Sequence, residues 1–478
     1  MFPGLGEWAA GERRRGLLAG VPAAIGTLAI GAIVVATWLK GGMLALGTLL
    51  LHPQVIVAAV VLDLFALVYR VASIVDAWRI GSRNGRPAGV GATSPRSRRV
   101  AAGGLAALLI ATTVVQGAVA AVGIQAEDAL VSVFPNDPGS GWSIPSAAFS
   151  PTPSPAPTAT QGTTPAGPSA SPTAAPTPTS TPVALPGWAA DGRLNLLLVG
   201  SDAGTGRWSL RTDTMILLSV DLASGHAALF GIPRNVLNVP LPAESAGAFP
   251  NGHFPQLLNA LYVYALAHPE QFPGGDARGF RAVTGAIQEL VGVPLDGFVA
   301  VDLEGFMRLV DAVGGLWFDV PSSLFDDHYP KPDGTGDIVI TIRAGCQLMS
   351  GTTALAYARS RHQDSDYGRM RRQQAILLAL REQLDPLTIL TQAPTLLGIV
   401  KDDLSTTIRL DDLEGLANLA YRVDTRSVKK LVFDPPTYPE FLTANTIAAI
   451  QDTVRNVFTG TWPSPESGGS SGSSGSCP

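Results

Sequence analysis

Apolar residues run almost without interruption through three stretches near the start of the chain, roughly 17–39, 44–69 and 101–123. Each is close to the ~20 residues that a helix needs to cross a ~30 Å hydrocarbon core. The pattern predicts three transmembrane helices inside a membrane anchor over residues 1–125. Beyond residue 189 the period changes. Short buried-type strands are predicted at 194–199 (LNLLLV), 215–221 (MILLSVD) and 226–232 (HAALFGI). Helical spacing follows at 256–267 and 278–291, then a strand at 297–301, a helix at 303–313 and a strand at 316–320. A short strand at 338–342 and a long helix at 368–384 complete a domain over residues 189–385. Strands alternating with helices predict an α/β layered fold. Residues 386–460 read as helical with a strand at 428–433, and either complete that domain or append to it.

Between anchor and domain, residues 126–188 are dominated by Pro, Ser, Thr, Ala and Gly, as in PTPSPAPTATQGTTPAGPSASPTAAPTPTSTP. Such a segment lacks the apolar surface to offset its ordering entropy, and its prolines keep it extended. A disordered stalk is expected, holding the domain several nanometres from the membrane. A Gly/Ser tail over 461–478 is expected to be disordered as well. Cys346 and Cys477 are compatible with a disulfide in an oxidising compartment, but spacing leaves the pairing open, and no zinc pattern surrounds them.

Charge supplies the orientation. Arg13, Arg14 and Arg15 precede the first span, and the loop 70–99 holds Arg79, Arg83, Arg86, Arg96 and Arg98 against Asp76. Positive loops stay in the cytoplasm, so the N-terminus is expected inside and the domain outside a multi-pass cell-membrane protein. Three spans with consistent flanks set aside a cleaved signal peptide. Asp63, within the second span, is expected to pair with another span or to snorkel. The net charge of −5 argues against a nucleic-acid partner.

In a chain with only 15% charged residues, ARSRHQDSDYGRMRRQQ at 358–374 gathers five arginines around Asp364 and Asp366. At about 100° per residue, taking Asp366 as zero, Arg369, Gln373, Ile376, Leu377 and Leu380 all fall within roughly 80° of it. Charged heads and the apolar stripe therefore share a face, whereas a solvated ion-pair face would lie opposite the stripe. This predicts a helix whose C-terminal half packs on the sheet and whose N-terminal half overlooks a cleft. Arg371 points elsewhere, as a surface residue. Arg359 and Arg361, spaced by two, share a side if their stretch is extended. His362 and Asp364 read as loop residues. Converging arginines suit a phosphate, which their planar fork binds in bidentate fashion; an internal Arg–Asp network that only stabilises is the alternative.

Two upstream segments add to this set. In GSDAGTGRWSLRTDTM, residues 200–215, Asp202 follows one strand and Asp213 begins the next, so paired strands would bring both carboxylates to one sheet edge beside Arg211. Two such carboxylates suit Mg²⁺, while turn capping is the plainer reading. GIPRN at 231–235 ends a third strand in Arg234.

GSD, RTDTM, IPR and R-x-R-x-x-x-x-D-x-x-R-x-x-R-Q, in that order over about 190–385, resemble the LytR-CpsA-Psr family of bacterial cell-wall enzymes. The resemblance implies a layered α-β-α extracytoplasmic domain with a central mixed sheet. It also implies a phosphotransferase that moves a glycopolymer from a polyprenyl pyrophosphate carrier to a peptidoglycan or other envelope hydroxyl. By motif match Asp202 and Asp213 hold Mg²⁺. Arg211, Arg234, Arg359, Arg361 and Arg369 contact the pyrophosphate, Gln373 supports them and Asp366 orients them, with Asp213, Arg211, Arg361 and Asp366 closest to the chemistry. Asn235 stands where the family commonly has Asp, and Leu257 where it often has Lys. The alternatives carried forward are a polyprenyl-phosphate-binding regulator without turnover and a polyprenyl pyrophosphate phosphohydrolase.

Overall fold

Leu197 and Val199 of strand β1 (Arg193–Ser201) enter one core, while Leu194 and Leu196 enter another. A strand covered on both faces has no polar side, which is why LNLLLV reads as a continuous apolar run. The computed structural model describes residues 3, 5–9, 12–49, 52–84, 95–134, 191–202, 211–331, 335–361, 363–460 and 477. The predicted stalk from residue 135 to its end at 188, most of the Gly/Ser tail and His362 lie outside the described residues.

Helix α1 (Leu5–Ala9) is followed by α2 (Arg13–Leu49), α3 (Pro53–Asn84) and α4 (Pro95–Val133). Three of these are long and apolar enough to cross a membrane, over Arg13–Leu39, Pro53–Ile80 and Ala102–Val133, with mean hydropathies of 2.2, 2.3 and 2.1. The apolar pattern misplaced two boundaries. Residues 44–49 belong to α2, and the second long helix starts only at Pro53. Proline holds the preceding residue out of the α region and is itself suited to the first helical turn. Residues 126–133, assigned to the stalk, continue α4. Asp63 pairs with another span, accepting a hydrogen bond from Gln116 Nε2 at 3.2 Å.

The domain continues with β2 (Thr212–Asp221) and β3 (Ala227–Gly231). A two-residue ladder of β4 (Val239–Pro240) and β5 (His253–Phe254) encloses α5 (Ala243–Ala246). Then come α6 (Leu261–Ala267), α7 (Arg278–Val291), β6 (Gly297–Val301) and α8 (Leu303–Ala312). Strands β7 (Leu316–Val320), β8 (Leu324–Pro330), β9 (Asp337–Ile342) and β10 (Gly345–Met349) lead to α9 (Gly351–Arg359) and α10 (Asp366–Gln383). The last part holds α11 (Pro386–Thr391), α12 (Ala393–Asp403), β11 (Leu404–Thr406), α13 (Leu413–Arg422), β12 (Lys429–Val432) and α14 (Ala444–Arg455).

The central sheet is mixed, six-stranded and ordered β11-β6-β1-β2-β3-β12. β1 runs antiparallel to β2 and parallel to β6, so the ends of β1 and the start of β2 meet at one edge, with Ser201 opposite Thr212. Helices α6, α7 and α14 cover one face, with Leu261, Ile287 and Val454 fully buried. Leu378 of α10 and Leu419 of α13 cover the other, giving the α-β-α layers. A second core joins the β7–β10 ladder and β8–β9 hairpin to α8, α9 and α10 through Phe318, Tyr329, Tyr357 and Ile376. Residues 386–460 complete the domain, because β11 and β12 are the two edge strands of its sheet. Cys346 of β10 and Cys477 form a disulfide.

The domain is not held away from the anchor. Lys401 of α12 pairs with Asp128, and Leu410 joins Ile56, Leu130 and Phe134 in an apolar cluster at the ends of α3 and α4. The distance expected from the stalk composition is therefore corrected. A long connecting segment permits separation without enforcing it.

Candidate functional site

The Ser365 hydroxyl accepts a hydrogen bond from Gly368 N and caps α10, fixing the helix start at Asp366. Asp366 then lies in the first turn, where the helix dipole favours an anion. Arg369, Gln373, Ile376, Leu377 and Leu380 follow on the same face, and all six line one cavity of about 870 Å³. The mixed polar and apolar face predicted from spacing is thus the wall of a cavity.

Asp366 organises three arginines. Arg369 donates to it twice, from Nε at 3.1 Å and from Nη2 at 2.9 Å. Arg234 Nε stands 3.4 Å and Arg361 Nη1 3.9 Å from its Oδ1. Arg369 is only 3% exposed, so its charge depends on these partners. Burial lowers its pKa, against the pull of Asp366 and Asp213. A guanidinium nevertheless keeps its proton. Arg359 lines the same cavity, with its Cζ 5.8 Å from the Tyr329 ring and Nη1 buried without a hydrogen-bond partner among the described residues. The expectation of an extended stretch from Arg359 is corrected: Arg359 is the last residue of α9, and extended backbone begins only at Ser360, with φ −54° and ψ 142°.

Asp202 and Asp213 come together at the sheet edge as expected, through the β1–β2 pairing. Arg211 N donates to Asp202 Oδ1 at 2.6 Å. Arg234 Nη1 and Asn259 Nδ2 both donate to Asp213 Oδ1, at 2.7 and 3.2 Å. Burial alone would raise the pKa of Asp213, but Arg234, Asn259 and Arg369 outweigh it and hold the carboxyl below its ordinary value. Asp213 stays ionised at neutral pH. Among the described residues no three His, Cys, Asp or Glu groups cluster as a metal cage. Mg²⁺ commonly takes one or two carboxylates and completes its shell with phosphate oxygens and water, so this pair fits that ion.

Arg211, Leu257 and Asn259 belong to a second recess of about 510 Å³ that shares Asp202, Asp213, Arg234, Arg359 and Arg361 with the main cavity. Gln373 Nε2 donates to Ala358 O at 3.2 Å, steadying the end of α9 that carries Arg359. Arg371 is exposed and pairs with Asp434, as the wheel predicted. Asp364 does more than a loop residue: it pairs with Arg372 and borders the cavity. Sequence reasoning missed Asn259, although QLLNALY contained it, because nothing in spacing links it to Asp213. Asn235 donates to Glu440 Oε1 at 2.7 Å, which Tyr367 also reaches at 2.8 Å. Burial and Glu440 raise the Tyr367 pKa.

Away from the arginines the cavity is apolar. Leu198, Val299 and Val301 of the sheet, Phe306 of α8, Leu377 of α10, and Leu396 and Ile399 of α12 form its walls. Arginines interleaved with carboxylates line one part, and hydrocarbon lines the rest. That division suits an amphiphile with an anionic head and a long tail.

The LytR_cpsA_psr family model matches residues 161–451, more than half of the chain. The teichoic acid transferase TagV of Bacillus subtilis, named as polyisoprenyl-teichoic acid to peptidoglycan, is 30% identical over 209 residues, 43% of this chain and 47% of its own. The correspondingly named TagU of Halalkalibacterium halodurans is 25% identical over 245 residues, 51% of this chain and 70% of its own. Biofilm regulatory protein A of Streptococcus mutans is 25% identical over 247 residues, covering 49% and 55%. The chain spans about half the length of most of these relatives. The crystal structure of B. subtilis TagV aligns with a TM-score of 0.40 at 22% identity, covering 55% of this chain and 96% of that one.

Proposed function

The chain belongs to the LytR_cpsA_psr family, and from that premise we propose that it is a glycopolymer phosphotransferase of the cell envelope. Its substrate is a glycopolymer on a polyprenyl pyrophosphate, and its acceptor a hydroxyl of peptidoglycan. The observation that carries this reading is the two-ended cavity. Arg234, Arg359, Arg361 and Arg369 gather at one end, and Leu396, Ile399 and Leu377 line the other. The names of TagU and TagV support it at the level of the family.

In this reading the pyrophosphate lies among the arginines, where preorganised donors neutralise charge without reorganising during reaction. Arg359 Nη1, buried and without a partner among the described residues, would meet an anion oxygen. The acceptor hydroxyl enters by the recess beside Arg211 and Asn259. Its oxygen forms a bond to the sugar-bearing phosphorus, the bridging P–O bond breaks, and polyprenyl phosphate leaves with the electron pair. The acceptor proton passes to that departing phosphate, whose second pKa lies near ~6. Asp213, ionised and held by Arg234, positions this head rather than taking the proton. Mg²⁺ on Asp202 and Asp213 would supply further charge neutralisation.

We assign the domain to the outer side of the cell membrane. His52 Nε2 lies 3.4 Å from Glu414 and Phe134 packs beside Leu410, so the α2–α3 connection and the end of α4 share a side with the domain. Arg79, near the other end of α3, falls on the opposite, cytoplasmic side, in keeping with the positive-inside rule.

The test is transfer from a lipid-linked radiolabelled glycopolymer to peptidoglycan by the full chain. Asp213→Ala and Arg361→Ala are each expected to abolish it. Unchanged turnover in both variants rejects the assignment. Release of free glycopolymer phosphate without an acceptor identifies a phosphohydrolase, and capture of lipid without turnover a binding protein.

A further inference from the structure

Helix α12 has two occupied faces. Leu396, Ile399 and Val400 line the apolar end of the cavity. Pro394 and Lys401, seven residues apart and so nearly eclipsed on a helix, lie roughly opposite. Pro394 O accepts a hydrogen bond from Gln125 Nε2 at 3.2 Å, and Lys401 pairs with Asp128. Both partners are on α4, one turn apart. Around them Val400, Leu410 and Leu413 join Ile56, Leu130 and Phe134. A single helix therefore forms the hydrocarbon wall of the cavity and the seat of the domain on its anchor.

We propose that this junction is a lipid doorway: α12, held on the outer end of α4, sets the apolar end of the cavity against the bilayer so that a long isoprenoid tail passes directly from membrane to domain. This rests on the reading above that the cavity takes a polyprenyl phosphate or pyrophosphate. Three observations carry the step beyond it. The apolar end, rather than the arginine end, adjoins the anchor. The contacts come from two membrane helices, α3 through Ile56 and α4 through Leu130 and Phe134, so the seat fixes orientation as well as distance. The continuation of α4 through residues 126–133 carries Ala126, Leu130 and Val133 on the side that meets the domain. A tail of many isoprene units is costly to expose to water, because every apolar group added enlarges the surface that water must cover. A domain floating on a long tether would have to lift that tail through water, whereas a seated one does not.

The experiment uses the full chain in phospholipid vesicles containing a diazirine-bearing C55 polyprenyl phosphate, with photocapture as the readout and turnover measured in parallel. The variant Leu130→Asp/Phe134→Asp, whose two positions are not themselves part of the cavity lining, is expected to lower capture at least tenfold. Binding of water-soluble farnesyl pyrophosphate is expected to stay within twofold. If the double variant is not recovered from membranes, Lys401→Glu carries the test, with a threefold loss of capture restored by Asp128→Lys. Undiminished C55 capture in the unseated variant overturns the doorway. Equal loss with the soluble pyrophosphate also overturns it, since the junction would then act on the fold or the head site. Absence of turnover with capture intact rejects the transferase reading alone.

Discussion

Arg369 Nη1 donates to the backbone oxygen of Asp213 at 3.1 Å, joining residues 156 positions apart and tying α10 to the start of β2. The same guanidinium grips Asp366 through its other nitrogens. One buried side chain thus ties Asp366 of the distal segment to the backbone of Asp213 in the proximal one.

Asp366→Ala is expected to leave Arg369 charged and unpaired in the interior. The loss of stability should be on the order of 3–5 kcal/mol, read as a lower denaturant midpoint. Turnover should fall by about 100-fold or more, because Arg234 and Arg361 lose their shared anchor. A variant as stable as the parent would show that the network is not a structural unit.

Asp202→Asn and Asp213→Asn separate metal holding from arginine holding. Asp202→Asn is expected to raise the Mg²⁺ concentration for half-maximal turnover about tenfold. Asp213→Asn should add a stability loss, since Arg234 loses its 2.7 Å partner. A Mg²⁺ titration with thermal melts checks both, and metal-independent turnover would remove the cation from the reading.

Leu377→Trp narrows the apolar part of the cavity. The KM for a C55 carrier should rise at least tenfold, while a farnesyl carrier is affected less. Equal effects on both would place the tail elsewhere.

Arg371→Ala tests the division of the segment into a cavity face and a surface. Its pairing with Asp434 is solvent-exposed and worth about 0–1 kcal/mol. Turnover is expected within twofold of the parent.

Asp296 provides a pH prediction outside the site. Burial pushes its pKa from 3.8 up to about 7, partly opposed by the hydrogen bond from Asn195 N and helped by Asp191. A carboxyl that holds its proton more tightly when folded stabilises fully below pH 3.8, and that contribution is lost as pH rises through about 7. The whole effect is at most about 4 kcal/mol. Asp296→Asn keeps an acceptor for Asn195 and should flatten this slope, so that parent and variant diverge progressively between pH 4 and 7 in urea melts. Parallel curves would contradict the raised pKa.

Much of this architecture is written in local pattern. The three apolar stretches, five of the six strands of the central sheet and the shared face of Asp366, Arg369 and Gln373 follow from residue period, because burial on one or both sides leaves its mark on neighbouring positions, whereas the three-residue edge strand β11 is too short to show one. The β8–β9 hairpin was only half legible: its second strand shows as apolar spacing at 338–342, whereas LFDDHYP alternates weakly and exposes Phe325.

By itself the sequence determined that three apolar helices precede a layered domain, which residues form most of the sheet, and which arginines and carboxylates were available to an anion. Tertiary structure alone decided that Asp366 is their common partner, that Asn259 joins Asp213, that Arg359 ends a helix, and that α12 faces both cavity and anchor. The reason is physical. Period reports burial along a single element, but an ion pair or a cavity wall forms between elements, and loop closure across long stretches of chain leaves no local trace of which surfaces will meet.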